Sequence, residues 1–153
     1  MVRPVVLDPE ELSVRRALRL YKRAVVLRCP NCGGGPIVAS WFRMRSHCPE
    51  CGIRMNRGEE DFFLGAMMFN IILAEGLLLV AGLLIVLLSW PAVPWEALLH
   101  IGLVLMAAAP FLFYPFSHAI WLASDILIRP VTEAEMRWHR EAPADAYRPH
   151  HER

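Results

Sequence analysis

The stretch Arg28–Gly52, RCPNCGGGPIVASWFRMRSHCPECG, holds all four cysteines of the chain in two Cys-x-x-Cys pairs, Cys29/Cys32 and Cys48/Cys51. Each pair puts two sulfurs on one tight turn, and the loop between them is long enough to fold back and complete a four-sulfur tetrahedron. That donor set suits Zn²⁺, a soft-tolerant ion with no electronic preference for geometry. Gly33, Gly34 and Gly35 follow the first pair and Gly52 the second, where the backbone must curl around a metal and glycine relieves the turn. Between the pairs, short apolar stretches with Arg43 and Arg45 at alternating positions read as a small hairpin. The spacing therefore predicts a zinc-ribbon-like domain over 28–58, holding one Zn²⁺ per chain, with iron as the second choice. A thioredoxin-like redox pair needs a βαβ surround that is absent from the pattern, and disulfides need an oxidising compartment. Four protein ligands close the site, which points to a structural metal rather than a catalytic one. Arg43, Arg45, His47, Arg54 and Arg57 are expected to decorate the surface of this head.

Outside the cysteine segment the charge is segregated. No Lys or Arg lies between Phe62 and Ile128, where the only acids are Glu75, Glu96 and Asp125, although the chain has 16 basic and 15 acidic residues. Two runs, 62–89 and 97–128, are long and apolar enough to cross a bilayer, which needs roughly 20 residues. Pro110 and Pro115 predict a kink or an early break in the second run. The expected fold is thus a zinc-ribbon-like head followed by an all-α transmembrane hairpin. Eleven Lys/Arg precede the first run, the connector WPAVPWE has none, and five follow the second. By the positive-inside rule both termini and the head are cytoplasmic, with Trp90 and Trp95 in the outer aromatic belt and Trp121 toward the inner one. No secretory signal peptide is expected.

The segment 8–27 reads as a basic amphipathic helix, started by Asp8, Pro9 and Glu11. Arg15, Arg16, Arg19, Lys22 and Arg23 would lie against an anionic membrane surface, with packing on the head as the competing arrangement. The segment 131–153 reads as a charged tail, partly disordered, with a short helix capped by Thr132. In the apolar runs Glu75, Tyr114, His118 and Asp125 are the polar residues that need explaining. If Phe62 and Ile128 share one depth, Glu75 stands roughly 20 Å above it, Tyr114 roughly 21 Å and His118 about 15 Å, which predicts an intramembrane Glu75–Tyr114/His118 network.

The order of basic helix, RCPNCGGGPI, HCPECG, acidic junction and two apolar helices closing on YPFSHAIWLASDILIRP resembles the DUF983 family of small bacterial membrane proteins, over roughly 17–130. The resemblance implies a cysteine-rich cytoplasmic head on a membrane hairpin in the bacterial inner membrane. It carries no reaction, and it brings an association with haem–copper oxidase assembly factors through gene neighbourhood. No Ser-His-Asp order, His-Glu-x-x-His or phosphate loop is present, so no catalysis is expected. No small-molecule substrate is identified, and nucleic acid is not an expected partner because acids interleave with the bases and no aromatic binding strip occurs. The expected role is a membrane-anchored zinc-binding scaffold or accessory/assembly subunit of a membrane complex, a respiratory one by the family's gene neighbourhood, whose partners are the bilayer and either its own copies or a larger membrane assembly. The alternative is proton, ion or small-molecule handling by Glu75.

Overall fold

A computed structural model describes residues 13–59 and 61–142. Six elements follow in order: α1 (Val14–Val25), β1 (Val38–Ser40), β2 (Arg43–Met44), α2 (Phe62–Ser89), α3 (Trp95–Ile128) and α4 (Glu133–Glu141). The proposed helix starters Asp8, Pro9 and Glu11, and the tail histidines His150 and His151, lie outside the described residues.

α2 and α3 form an antiparallel hairpin of 28 and 34 residues, both long and apolar enough to cross a membrane. α3 continues through Pro110 and Pro115 without a break. The proline at 115 cannot donate to the carbonyl four residues back, and that carbonyl, on Phe111, instead accepts from the indole N–H of Trp41 at 2.8 Å. A backbone group freed inside an apolar helix is thereby satisfied from the head, as such positions require.

The register of the hairpin is set by three pairings. The Phe63 and His118 rings lie 6.1 Å apart, Asn70 donates to the Pro110 carbonyl at 3.0 Å, and a Leu78 methyl sits 3.6 Å from where a Cβ on Gly102 would be. α3 therefore runs about ten residues, some 15 Å, past the start of α2. Most of the overhang is covered: Ala119, Leu122, Ala123, Ser124, Asp125 and Ile126 are all buried, and only its last residue, Ile128, is exposed. α1, the cysteine head and α4 cover it. Gly65 allows the Trp121 ring to rest on the backbone of α2, between the rings of Phe62 and Phe69. Trp121 is thus a helix–helix packing residue. Trp90 and Trp95, at the opposite end, are exposed.

α1 packs on α3. Leu20, Ala24 and Arg16 are buried, whereas Val14, Leu18 and Val25 point outward. The reason is polar. The Arg16 guanidinium donates to the Ile126 carbonyl at 3.0 Å, one of the last carbonyls of α3 that have no partner within the helix, and Tyr21 Oη lies 3.0 Å from Ser124 Oγ. A cation at a helix C-terminus also meets the negative end of its dipole. Arg16 is therefore no membrane-surface residue, and neither is Arg23, which donates to the Pro30 and Asn31 carbonyls at 2.9 Å each. Arg15, Arg19 and Lys22 are exposed. α1 ends with Leu27 left-handed at φ 55°, with Arg28 N–H on the Arg23 carbonyl and Leu27 N–H on the Ala24 carbonyl. This Schellman closure delivers the chain into the first cysteine pair.

Candidate metal centre and the junction beneath it

The two cysteine pairs are built alike. Gly33 N–H bonds the Cys29 carbonyl at 2.7 Å and Gly52 N–H the Cys48 carbonyl at 3.0 Å. Both glycines are left-handed, at φ 75° and 79°, a conformation that is free only for glycine. Each turn is shut by one bridge, Arg28 to Pro36 and His47 to Arg54. The other glycines of the run serve a different purpose: a Cβ at Gly34 or Gly35 would collide with Glu50 or Pro49 of the second turn. The two turns can face each other only because these positions lack side chains.

All four sulfurs lie within 4.8 Å of one another, with Cys29–Cys51 at 3.8 Å and Cys32–Cys48 at 3.6 Å. Four thiolates about 2.3 Å from one tetrahedral ion stand about 3.8 Å apart, so the cluster fits a metal ion without rearrangement. The cysteines are free rather than disulfide-bonded. Hydrogen bonding to Cys48 and Cys51, with burial, pushes the Cys29 thiol far above its ordinary range. A hydrogen bond from Cys29 favours the Cys51 thiolate, but Cys48 and burial outweigh it and push that thiol up to about 12. So dense a group of thiols stabilises its full set of thiolates only around a cation. Gly34 N–H and the Asn31 side-chain amide point at Cys32 and Cys51 sulfur, at 3.3 and 3.7 Å.

β1 and β2 join the two turns as an antiparallel ribbon, Val38 opposite Met44 and Ser40 opposite Arg43. Its tip, Trp41-Phe42, reaches α3. Besides the Trp41 hydrogen bond, Trp41 packs edge-on against Phe116 at 6.0 Å, and Phe42 lies 5.8 Å from Tyr114 and 6.3 Å from Phe111. The apolar tip is thus a docking contact between head and hairpin.

Arg43 and Arg45 are exposed, as expected, and His47 is half-buried. Burial, then the charge of Arg54, lowers the pKa of His47. Arg54 and Arg57 are not surface residues: they are 2 % and 6 % exposed. Arg54 lies 4.6 Å over the Trp138 ring and donates to the Ala142 carbonyl. Arg57 is the hub of the junction. It grips Glu135 with Nε and Nη2 at 2.8 and 2.7 Å, and reaches Asp125 and the Arg129 carbonyl from Nη1 at 2.7 and 2.8 Å. Arg129 in turn bonds Asp125 and, at 2.6 Å, Glu59. Burial works against the Glu135 carboxylate, but His139, at 3.2 Å, and Arg57 override it and hold its pKa at about 2. Charged groups removed from water persist when paired and hydrogen-bonded in this way. Asp125 therefore belongs to a buried ion network at the foot of α3, not to an intramembrane polar set. The short helix expected after Thr132 is α4, with the Thr132 hydroxyl accepting from Glu135 N–H at 3.2 Å, and it packs against the head with His139 only 1 % exposed.

The expected Glu75–Tyr114/His118 network does not form. Tyr114 and His118 rings stack 4.9 Å apart, but Glu75 is exposed on α2. Phe62 and Ile128 are not level, because of the α3 overhang. In the observed register Glu75 stands opposite Leu105, about 14 Å along α3 from Tyr114.

A family model described as "Protein of unknown function (DUF983)" matches residues 38–125, more than half of the chain. The chain belongs to this family. The matched part holds the ribbon, the second cysteine pair and both long helices, and begins after Cys29 and Cys32, so it is shorter at both ends than the resemblance suggested. No curated protein and no solved structure matches the chain.

Proposed function

We propose that this DUF983 protein is a membrane-anchored zinc-binding scaffold or accessory subunit, without catalysis of its own, that serves the assembly or integrity of a membrane complex. The observation that carries this reading is the way the four-sulfur cluster is tied to the hairpin. The ribbon tip on Phe111 and the Arg57 network on Asp125 make one unit of head and helices, while four protein sulfurs leave a tetrahedral ion no open position for substrate. Zinc is the proposed ion because an all-thiolate tetrahedral site holding a fold together is its commonest use. In this reading α2 and α3 cross the bilayer from a cytoplasmic head, in the bacterial inner membrane. From Trp95 to Tyr114, α3 spans about 28 Å, close to the hydrocarbon thickness of about 30 Å, and the run of buried positions in α3 begins with Pro115, just past that length.

The exposed Glu75 supports a helical partner. A carboxyl group on a lipid-facing surface is costly unless another protein surface covers it, so a second copy or a larger complex, of which a respiratory one is the expectation raised by the family, is the proposed occupant. Pull-down from native membranes in mild detergent tests the reading. A stoichiometric partner, lost when Cys29→Ser removes the metal, is expected; a lone protein recovered from both forms would overturn it.

A further inference from the structure

A cavity of about 370 Å³ lies between the ribbon and the bases of α2 and α3. Its walls differ in character. Phe62, Phe63 and Leu122 give it an apolar side, and Arg45, Tyr114 and His118 a polar one. Phe63 is well exposed on the outer surface of α2, so the apolar side is continuous with the lipid-facing helix. Of the charged residues at the cavity, Glu59 is neutralised by Arg129 at 2.6 Å and Arg54 is occupied by Trp138 and the Ala142 carbonyl. Arg45 has no ion-pair partner among the described residues. Its backbone N–H is fixed on the Ile37 carbonyl at 2.8 Å, so the origin of the side chain is anchored.

We propose that this cavity binds one anionic membrane phospholipid, with the phosphate at Arg45 beside the Tyr114 hydroxyl and the first carbons of the acyl chains along Phe63. The inference rests on the membrane placement of α2 and α3 proposed above, but not on any role in assembly. Three features converge. An arginine presents the planar donor fork that phosphate accepts. The cavity is of the size that encloses a small ligand or a headgroup. Tyr114 stands about 28 Å from Trp95 along α3, the level at which headgroup phosphates meet hydrocarbon in a bilayer of about 30 Å. A soluble phosphate would gain nothing from the apolar wall, and a zwitterionic lipid would set its choline cation beside the Arg45 guanidinium and offset the phosphate contact.

The test uses the full chain purified in detergent and stripped of lipid. Native mass spectrometry then follows titration with phosphatidylglycerol or with phosphatidylcholine of the same acyl chains. Wild type is expected to retain one phosphatidylglycerol per chain, at least about fivefold better than phosphatidylcholine. Arg45→Gln should bring the two to parity, Arg45→Lys should keep part of the preference, and Arg43→Gln, a neighbouring exposed arginine outside the cavity, should leave it intact. Inorganic phosphate at millimolar concentration should not displace the lipid. Metal content, measured on every variant, shows whether the head remains folded. Equal retention of both lipids by wild type, an unchanged preference in R45Q with metal retained, or displacement by inorganic phosphate would each overturn the proposal. The membrane placement is checked separately: alkaline carbonate extracting the chain from membranes would sink that reading whatever the lipid titration gives.

Discussion

Arg57 combines three demands at one position. Its backbone is left-handed, at φ 50°, a cost of about 1–2 kcal/mol for a residue with a Cβ. Its guanidinium is buried, and it is the common partner of Asp125 and Glu135. Truncation leaves Asp125 to Arg129 and Glu135 to His139, each buried carboxylate short of its shared guanidinium. Arg57→Ala should lower stability by about 3–5 kcal/mol, read as a fall in the thermal unfolding midpoint in detergent and as new protease cleavage around α4; an unchanged midpoint would show that the network contributes nothing. Glu135 supplies the pH dependence. Its folded value of about 2 lies below its ordinary 4.5, so the charged form is favoured by folding. The stabilisation is complete above about pH 4.5 and is lost as pH falls through about 2. Glu135→Gln should be less stable at neutral pH and should lose this part of the acid dependence, measured as the difference between the two unfolding profiles below pH 5.

Among elements, the ribbon is the one whose small size contrasts with its reach. Two short strands have no core of their own, and the turns at their base are closed by sulfur. A strong chelator, or Cys48→Ser, should therefore unfold the head, with α2 and α3 remaining helical because their hydrogen bonds are internal. The expected measurements are about one zinc per chain by elemental analysis before treatment and, after it, proteolysis at Arg43 and Arg45 with most helical circular dichroism retained. Dominant iron would contradict the zinc assignment. The ribbon tip provides a second test. Trp41→Phe keeps an aromatic ring but removes the donor to Phe111, leaving an unpaired carbonyl beside Pro115. A loss of about 1–3 kcal/mol is expected, with faster amide exchange in the turn of α3 around Phe111. Equal exchange in both proteins would mean that the carbonyl finds another donor.

At the scale of the molecule, the α3 overhang decides the arrangement. Because α3 outruns α2 by about ten residues, its apolar end must be covered by something other than lipid or a neighbouring long helix. α1, the cysteine head and α4 do this, so that a chain with a very small ribbon acquires one continuous core running from Leu20 and Ile37 to Leu122 and Met136. The same offset separates Glu75 from Tyr114 and leaves the acid on an outer face. Glu75→Leu should then weaken association with whatever helix covers it, whether a second copy or another subunit, and leave metal content and monomer stability unchanged. Crosslinking in native membranes and size measurement in mild detergent would read this. Identical crosslinks in wild type and variant would remove Glu75 from the interface.

Much of this was written in the sequence. The four sulfurs announced themselves through spacing, since a Cys-x-x-Cys turn is a local structure and needs only the glycine that follows. The two long helices were legible from length, apolar content and the absence of Lys and Arg between Phe62 and Ile128, and Thr132 marked the start of α4. All these signals are local, because a helix satisfies its hydrogen bonds within a few residues. Tertiary structure decided what faces what. Arg16, Arg54 and Arg57 read as surface residues because charge ordinarily seeks water, and their partners, Ile126, Ala142 and Asp125, are 68 to 110 positions away. Gly34 and Gly35 read as relief for the turn after the first cysteine pair, and Gly65 carried no signal inside a uniform apolar run, yet each is required by a close approach across the fold. The register of α3 on α2 could not be read at all, since two nearly uniform apolar helices can slide past one another with little change in burial. It is fixed instead by a few specific contacts, Asn70 on Pro110 and Trp121 on Gly65, and by the head that closes around the end of α3.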